Sequence, residues 1–342
     1  MRVTQIINRK PTDLATALVT IQSKNTDLLL VFGSVDHFSF PGLADSLRCA
    51  FPGAMLLGCS TAGEITANGV EDGTCTITAI EFEQTRTTCG CTRLTGMDDS
   101  FSAGERLGKQ LASIDLKAVL IFGPGVKING SALVNGVASV IGNNIPITGG
   151  LAGDGGAFKE TFTLGPDGVA NDQVVAIGLS GDRLRYGHGS FGGWEPFGPA
   201  RKVTRCEGNI LYELDGEPAL EIYRRYLGEH AKALPASGLL FPFAMLGEDH
   251  TAVGLIRTIL GIDEARGSLI LAGEINPDGY LRLMHASTDK LVNGAESAAE
   301  AAAAMLQVPG ESLSILVSCV GRKLVMGDRV DEEVEAVGEV FG

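Results

Sequence analysis

The side chains best placed to do chemistry lie in Tyr186-Gly-His-Gly-Ser-Phe-Gly-Gly-Trp-Glu-Pro-Phe-Gly198, which holds the chain's only tryptophan and one of its five histidines. Glycines there let backbone and ligand approach closely, and Phe191, Trp194 and Phe197 can wall off apolar space. His188 is the one group in the stretch able to ligate a metal or to titrate near neutrality. A histidine in such a loop equally serves as a satisfied hydrogen-bonding group, and both roles remain open on the residues alone.

A second cluster is Gly58-Cys-Ser-Thr-Ala-Gly-Glu64. Ser60 and Cys59 invite a nucleophile reading, but Ala62 stands where the Gly-x-Ser-x-Gly elbow needs its second glycine. No base is visible, so no enzyme is expected. Small hydroxyl residues beside glycine ordinarily serve turns. The glycines of Gly149-Gly-Leu-Ala-Gly-Asp-Gly-Gly156 match neither a P-loop nor a dinucleotide fingerprint, and His-Glu-x-x-His is missing. The other histidines divide simply: His230 and His250 read as exposed, His37 as a loop residue, and His285 as the end of Tyr280–His285.

The elements that carry these residues repeat. Asp27–Gly33, a helix with Leu43, Leu47, Ala50 and Phe51 on one face, and Ala54–Glu64 recur about ninety residues later. The second copy is Lys117–Gly123, a helix with Leu133, Val137, Val140 and Ile141, and Ile145–Asp154. Each copy reads as buried strand, turn, amphipathic helix and a strand ending in a glycine-acid loop. Strands are predicted over Cys75–Phe82 and Thr87–Arg93. Thr161–Leu164 and Asp172–Leu179 are predicted to form a hairpin across Pro166-Asp-Gly168. The C-terminal third gives a helix over Glu217–Leu227, a strand over Ser268–Ile275, an alanine-rich helix near Glu296–Leu306, a strand over Leu313–Cys319 and a final helix. It looks like the same unit lacking its closing strand. The fold class is therefore α/β (α+β): repeated strand-helix-strand units building two sheet-based subdomains with helices packed on the sheets.

The 342 residues are enough for two cores, and 44% hydrophobic with 20% charged residues is a globular composition. A net charge of −14 without a basic stripe argues against nucleic acid as partner. No apolar run reaches the ~20 residues that span a bilayer, so no membrane partner is expected. Seven cysteines without Cys-x-x-Cys, and an N-terminus without a signal-peptide pattern, point to a reducing cytoplasm.

Several of these segments resemble the FIST sensory domains. Gly58-Cys-Ser-Thr-Ala-Gly-Glu-Ile65 resembles the FIST N signature. Gly193-Trp-Glu-Pro-Phe-Gly198, Glu207–Leu220 and Tyr223-Arg-Arg-Tyr-Leu-Gly228 resemble the run joining FIST N to FIST C, and Leu281-Arg-Leu-Met284 and Cys319-Val-Gly-Arg322 resemble FIST C. The resemblance implies a FIST N domain over 1–216, its boundary within 190–217, and a FIST C domain over 217–342. It also implies an aromatic-rich closing strand and Gly-Glu that this sequence does not show, so a truncated or divergent C-terminus is expected.

The implied activity is ligand sensing. The His-Gly-Ser-Phe-Gly-Gly-Trp variation is similar to the haem-binding, nitric-oxide-sensing branch, which signals in trans to a histidine kinase or a cyclic-di-GMP enzyme. On that resemblance His188 ligates the iron of haem b, Phe191, Trp194 and Phe197 pack on the macrocycle, and Arg201 or Arg205 pairs with its propionates. The assembly considered is a homodimer. The alternative is a FIST module that binds a small metabolite such as an amino acid, without haem, through Ser60, Thr61, Glu64 and Asp154.

Overall fold

The structure is a computed structural model and describes residues 1–306 and 312–342. The chain divides into two compact units: 1–189 with 300–317 and Phe341, and 190–299 with 318–340 and Gly342.

In the first unit the order is β1 (Arg2–Asn8), α1 (Leu14–Leu18), β2 (Leu28–Gly33), α2 (Val35–Ser39), α3 (Leu43–Ala50) and β3 (Met55–Ser60). The short β4 (Glu64–Thr66) and β5 (Gly69–Glu71), then β6 (Cys75–Glu81), β7 (Arg86–Arg93), α4 (Ser100–Leu111), β8 (Leu116–Gly123) and α5 (Gly130–Ile141) follow. β9 (Ile147–Leu151), β10 (Thr163–Gly165), β11 (Gly168–Ala170) and β12 (Gln173–Ser180) complete it. Among the described residues three sheets result, ordered β1-β6-β2-β3-β10-β11, β7-β12-β8-β9 and the two-stranded β4-β5. In each copy of the repeat the strand pair is parallel, β2 with β3 and β8 with β9, as a strand-helix-strand crossover requires.

Strand alternation then assigns the layers. Leu29 and Val31 pack under α1, α2 and α3, whereas Leu28 and Leu30 join Leu120, Phe122, Val175 and Ile177 between the sheets. Val119 and Ile121 pack under α4 and α5. The unit is thus helix, sheet, sheet, helix. Phe32 and Phe122, at matching places of the two copies, meet edge to face at 5.3 Å.

In the second unit β13 (Glu195–Glu207), β14 (Ile210–Leu214), β15 (Glu217–Pro218), α6 (Ala219–Leu227), β16 (Phe243–Leu246), β17 (Ala252–Arg257), β18 (Ile259–Asp263), β19 (Ser268–Leu271) and β20 (Tyr280–His285) precede α7 (Thr288–Leu306), whose residues from 300 onward count with the first unit, α8 (Val320–Met326) and α9 (Asp331–Phe341), whose Phe341 does too. The antiparallel sheet runs β17-β16-β20-β13-β14-β19-β18, with β15 paired to β14. Its core joins Leu220, Ile222, Tyr223 and Leu227 of α6 to Phe243, Leu269, Leu281 and Leu283.

Four expectations change. The hairpin after Thr161 closes with β11, while β12 crosses to the other sheet between β7 and β8. Residues 312–319 form no strand, because their alternating apolar residues find no ladder partner among the described residues, and Ile315 and Val317 stay exposed. The third strand-helix unit does not form either, since β19 pairs antiparallel with β14 and β18. His37 sits in α2 and is buried, with its ring nitrogens 2.9 Å from Ser34 Oγ and 3.1 Å from Asn8 Oδ1. Among the described residues no helix is long and apolar enough to cross a membrane.

Candidate functional site

The two glycine-acid loops of the first unit come together. The Ser60 hydroxyl donates to the Gly153 carbonyl at 2.7 Å and accepts the Phe162 amide at 2.9 Å. The Ser60 backbone adds two bonds, to Phe162 O at 2.8 Å and from Gly153 N at 2.7 Å. A Cβ on Gly153 would stand 2.9 Å from Ala62 N, so glycine is required for this approach. Ser60, Thr61, Glu64 and Asp154 are therefore neighbours in the sense the small-metabolite reading needs.

Their polar atoms are already engaged. Glu64 is 1% exposed; one carboxylate oxygen accepts Thr61 Oγ1 at 2.5 Å, and the other accepts Thr74 N and Oγ1 at 2.8 and 2.7 Å. Burial raises its pKa, and these hydrogen bonds act in the opposite direction. Asp154 accepts the backbone amides of Phe158, Lys159 and Glu160. Burial pushes the Cys59 thiol up to about 12, so it is no thiolate at neutral pH. The cluster fastens loops, and the Ser60 hydroxyl has a carbonyl and an amide as its hydrogen-bond partners.

The haem residues are divided. His188 ends the first unit and is exposed, whereas Phe191, Trp194, Phe197, Arg201 and Arg205 belong to the second. Phe191 is 55% exposed and Trp194 is half-buried. Arg205 pairs with Glu213 at 3.0 Å and stacks on Tyr212. Arg201 donates to Asp215 at 2.9 Å and to Tyr226 Oη at 2.8 Å. Both guanidiniums foreseen for propionates thus have protein partners. Within the second unit the pit beside Phe197 and Arg201 measures about 10 Å³, against roughly 300–1,000 Å³ for a cofactor pocket. Among the described residues no group of three or more His, Cys, Asp or Glu could hold a metal ion.

What the second unit does assemble is a ring cluster. Phe197 lies 5.7 Å from His285, 6.3 Å from Phe241 and 6.4 Å from Tyr226, centroid to centroid, and His230 lies 5.4 Å from Phe241. Arg201 sits 5.4 Å from the centre of the Tyr226 ring. The hydrogen bond to Tyr226, helped by Asp215, holds the guanidinium pKa above its ordinary value. Sequence reading named Phe197 and Arg201 but missed Tyr226, Phe241 and His285 as their neighbours. Nothing local signals these contacts: His285 is brought beside Phe197 by the pairing of β13 with β20, and Tyr226 comes from α6.

The Cys319-Val-Gly-Arg322 segment has a structural task. Arg322 donates to Glu333 Oε1 and to the carbonyls of Gly192 (2.6 Å) and Leu291 (2.7 Å), and both members of the ion pair are 8% exposed. It staples α8, α9, α7 and the glycine loop before β13.

Two family models match the chain, the FIST N domain over residues 27–217 and the FIST C domain over 219–342. An uncharacterized protein of Methanocaldococcus jannaschii (MJ1623) is 28% identical over 207 residues, covering 55% of this chain. The match spans 38% of that relative's length. A solved structure described as cyanuic acid hydrolase from A. caulinodans aligns over 83% of this chain and 98% of its own, with 11% identity and a TM-score of 0.32. At that score the likeness fixes neither fold nor function.

Proposed function

The chain belongs to the FIST family of sensory domains, and we propose on that premise that it is an input module that binds a small molecule without transforming it. The observation that carries the second half is the state of Ser60: its side chain is fully buried and its hydroxyl is spent on the Gly153 carbonyl and the Phe162 amide. In the proposed function the ligand is a small metabolite and the module signals in trans to a histidine kinase or a cyclic-di-GMP enzyme. A ligand that binds the folded chain raises its melting temperature by linkage. Screening amino acids and other small organic molecules by thermal shift tests the reading, and a chain that no member stabilises would sink it.

A second reading, haem b with nitric oxide as the signal, is favoured by one observation: the His188 imidazole is exposed and flanked by glycines, open to a ligand. Haem would supply an iron to which a diatomic gas binds. The engagement of Arg201 and Arg205 weighs against it. An absorption spectrum of the chain produced with a haem precursor separates the two: the metabolite reading expects no Soret band, and the haem reading expects one that His188→Ala abolishes.

A further inference from the structure

We propose that the second unit carries a binding site for a small flat aromatic ligand with an acceptor oxygen, a carbonyl or carboxylate, stacked on Phe197 and hydrogen-bonded to Arg201. The inference rests on the ligand-binding reading above and gives it a location and a ligand chemistry.

The first support is how Phe197 is presented. The register of β13 against β20 steps from Pro196 opposite Met284 to Ala200 opposite Arg282, so β13 holds two extra residues there. Such a bulge re-aims side chains that a regular ladder would fix on one face. Gly198 stands in it at φ +92°, a conformation that favours glycine, and a Cβ there would lie 3.2 Å from the Tyr226 ring. The bulge carries Phe197 onto Tyr226, Phe241 and His285, yet leaves it 40% exposed. A ring with three ring neighbours and an open side is a stacking platform.

The second support is an unmet donor. Two nitrogens of the Arg201 guanidinium have acceptors, but Nε is buried and has no partner. Unpaired buried donors are rare and costly. Arg201 and Phe197 line the same pit with Pro199, Tyr226 and the core residues Tyr223 and Phe243. Its volume of about 10 Å³ suits one oxygen-sized group. A ligand oxygen occupying the pit would accept from Nε while the ring attached to it rests on Phe197. Asp215 already offsets part of the guanidinium charge, so a neutral carbonyl serves as well as a carboxylate.

The test is calorimetric titration of the full chain with benzamide and with benzoate to about 10 mM, the range suited to ligands of so few atoms. Cyclohexanecarboxamide is the control lacking a flat ring. Saturable binding of benzamide or benzoate, weakened about tenfold by Arg201→Lys and several-fold by Phe197→Ser, is the expected result. Phe197→Ser alters a partly exposed ring, and it guards against loss of folding in the arginine variant, which circular dichroism also checks. Absence of binding by both probes, binding unaffected by both substitutions, or equal binding of the saturated control would each overturn the site. Should other small molecules stabilise the chain while these probes fail, the site falls and the sensory reading stands.

Discussion

Replacing Ser60 by alanine separates a loop fastener from a nucleophile. The side chain is fully buried, and its hydroxyl satisfies the Gly153 carbonyl and the Phe162 amide across 93 and 102 residues of sequence. Alanine keeps the packing volume nearly constant but takes this partner from both groups, which lie beside a fully buried side chain. Each orphaned buried group costs about 1–3 kcal/mol. The amide bears the fuller cost, because it has one hydrogen to place, while the carbonyl keeps a second lone pair. A loss of about 2–4 kcal/mol follows. At ~2–4 °C per kcal/mol for a unit of this size, a loss of 3 kcal/mol lowers the melting temperature by about 6–12 °C. Urea denaturation of the two proteins measures the first quantity and calorimetry the second. If Ser60→Ala unfolds with a midpoint equal to that of the parent, the fastening account is wrong. If it also loses hydrolysis of a model ester, Ser60 is a nucleophile after all.

His37 predicts a pH dependence. Burial lowers its pKa from the ordinary ~6.5 in spite of Asp36. Below pH 6.5 the unfolded chain therefore binds a proton that the folded chain resists, and stability falls as pH drops through that range. His37→Gln should flatten the slope of melting temperature between pH 7 and 5; an unchanged slope would show that other groups set it. Glu333→Gln removes the partner of a buried guanidinium and should cost about 3–5 kcal/mol by denaturant titration, whereas joint replacement of Arg322 and Glu333 by Met and Leu should recover most of it. Recovery would fail if the Gly192 and Leu291 carbonyls depend on Arg322 as their donor. Gly149→Ala faces both a φ of +133° and a Cβ 1.9 Å from the Ile121 carbonyl, so soluble folded protein should be lost; a well-folded variant would contradict the close pairing of β8 and β9.

The duplicated strand-helix-strand units were legible because each is written in local pattern: Leu28–Phe32 and Val119–Phe122 are continuous apolar runs, and the helices between carry one apolar stripe. Their assignment to two sheets was not, since strand pairing is a long-range choice. β12 has turn signals just before it that fit a hairpin with β10, but it pairs with β7 and β8. Leu313–Cys319 reads as a strand from its apolar residues, and a local pattern cannot supply a neighbour to pair with. Phe197 and Arg201 could be named from composition; what makes them a site, two surplus residues in the register of β13, is visible only once β20 lies beside it.

The two halves of the candidate chemistry differ in what they have left to offer a ligand. In the first unit, duplication placed Glu64 and Asp154 at comparable loops, and each carboxylate is consumed by backbone amides or hydroxyls close by in sequence. A small molecule would have to displace bonds that hold those loops, and its binding energy would be reduced by what it breaks. In the second unit, Arg201 uses two of its nitrogens to fix its own orientation on Asp215 and Tyr226, and its Nε remains without an acceptor. A donor held in place before the ligand arrives loses little further freedom on binding. The same contact that fixes the arginine also holds Tyr226, which packs on Phe197. An unmet donor beside an exposed platform is what the proposed ligand site at Phe197 and Arg201 offers and the Ser60 cluster does not.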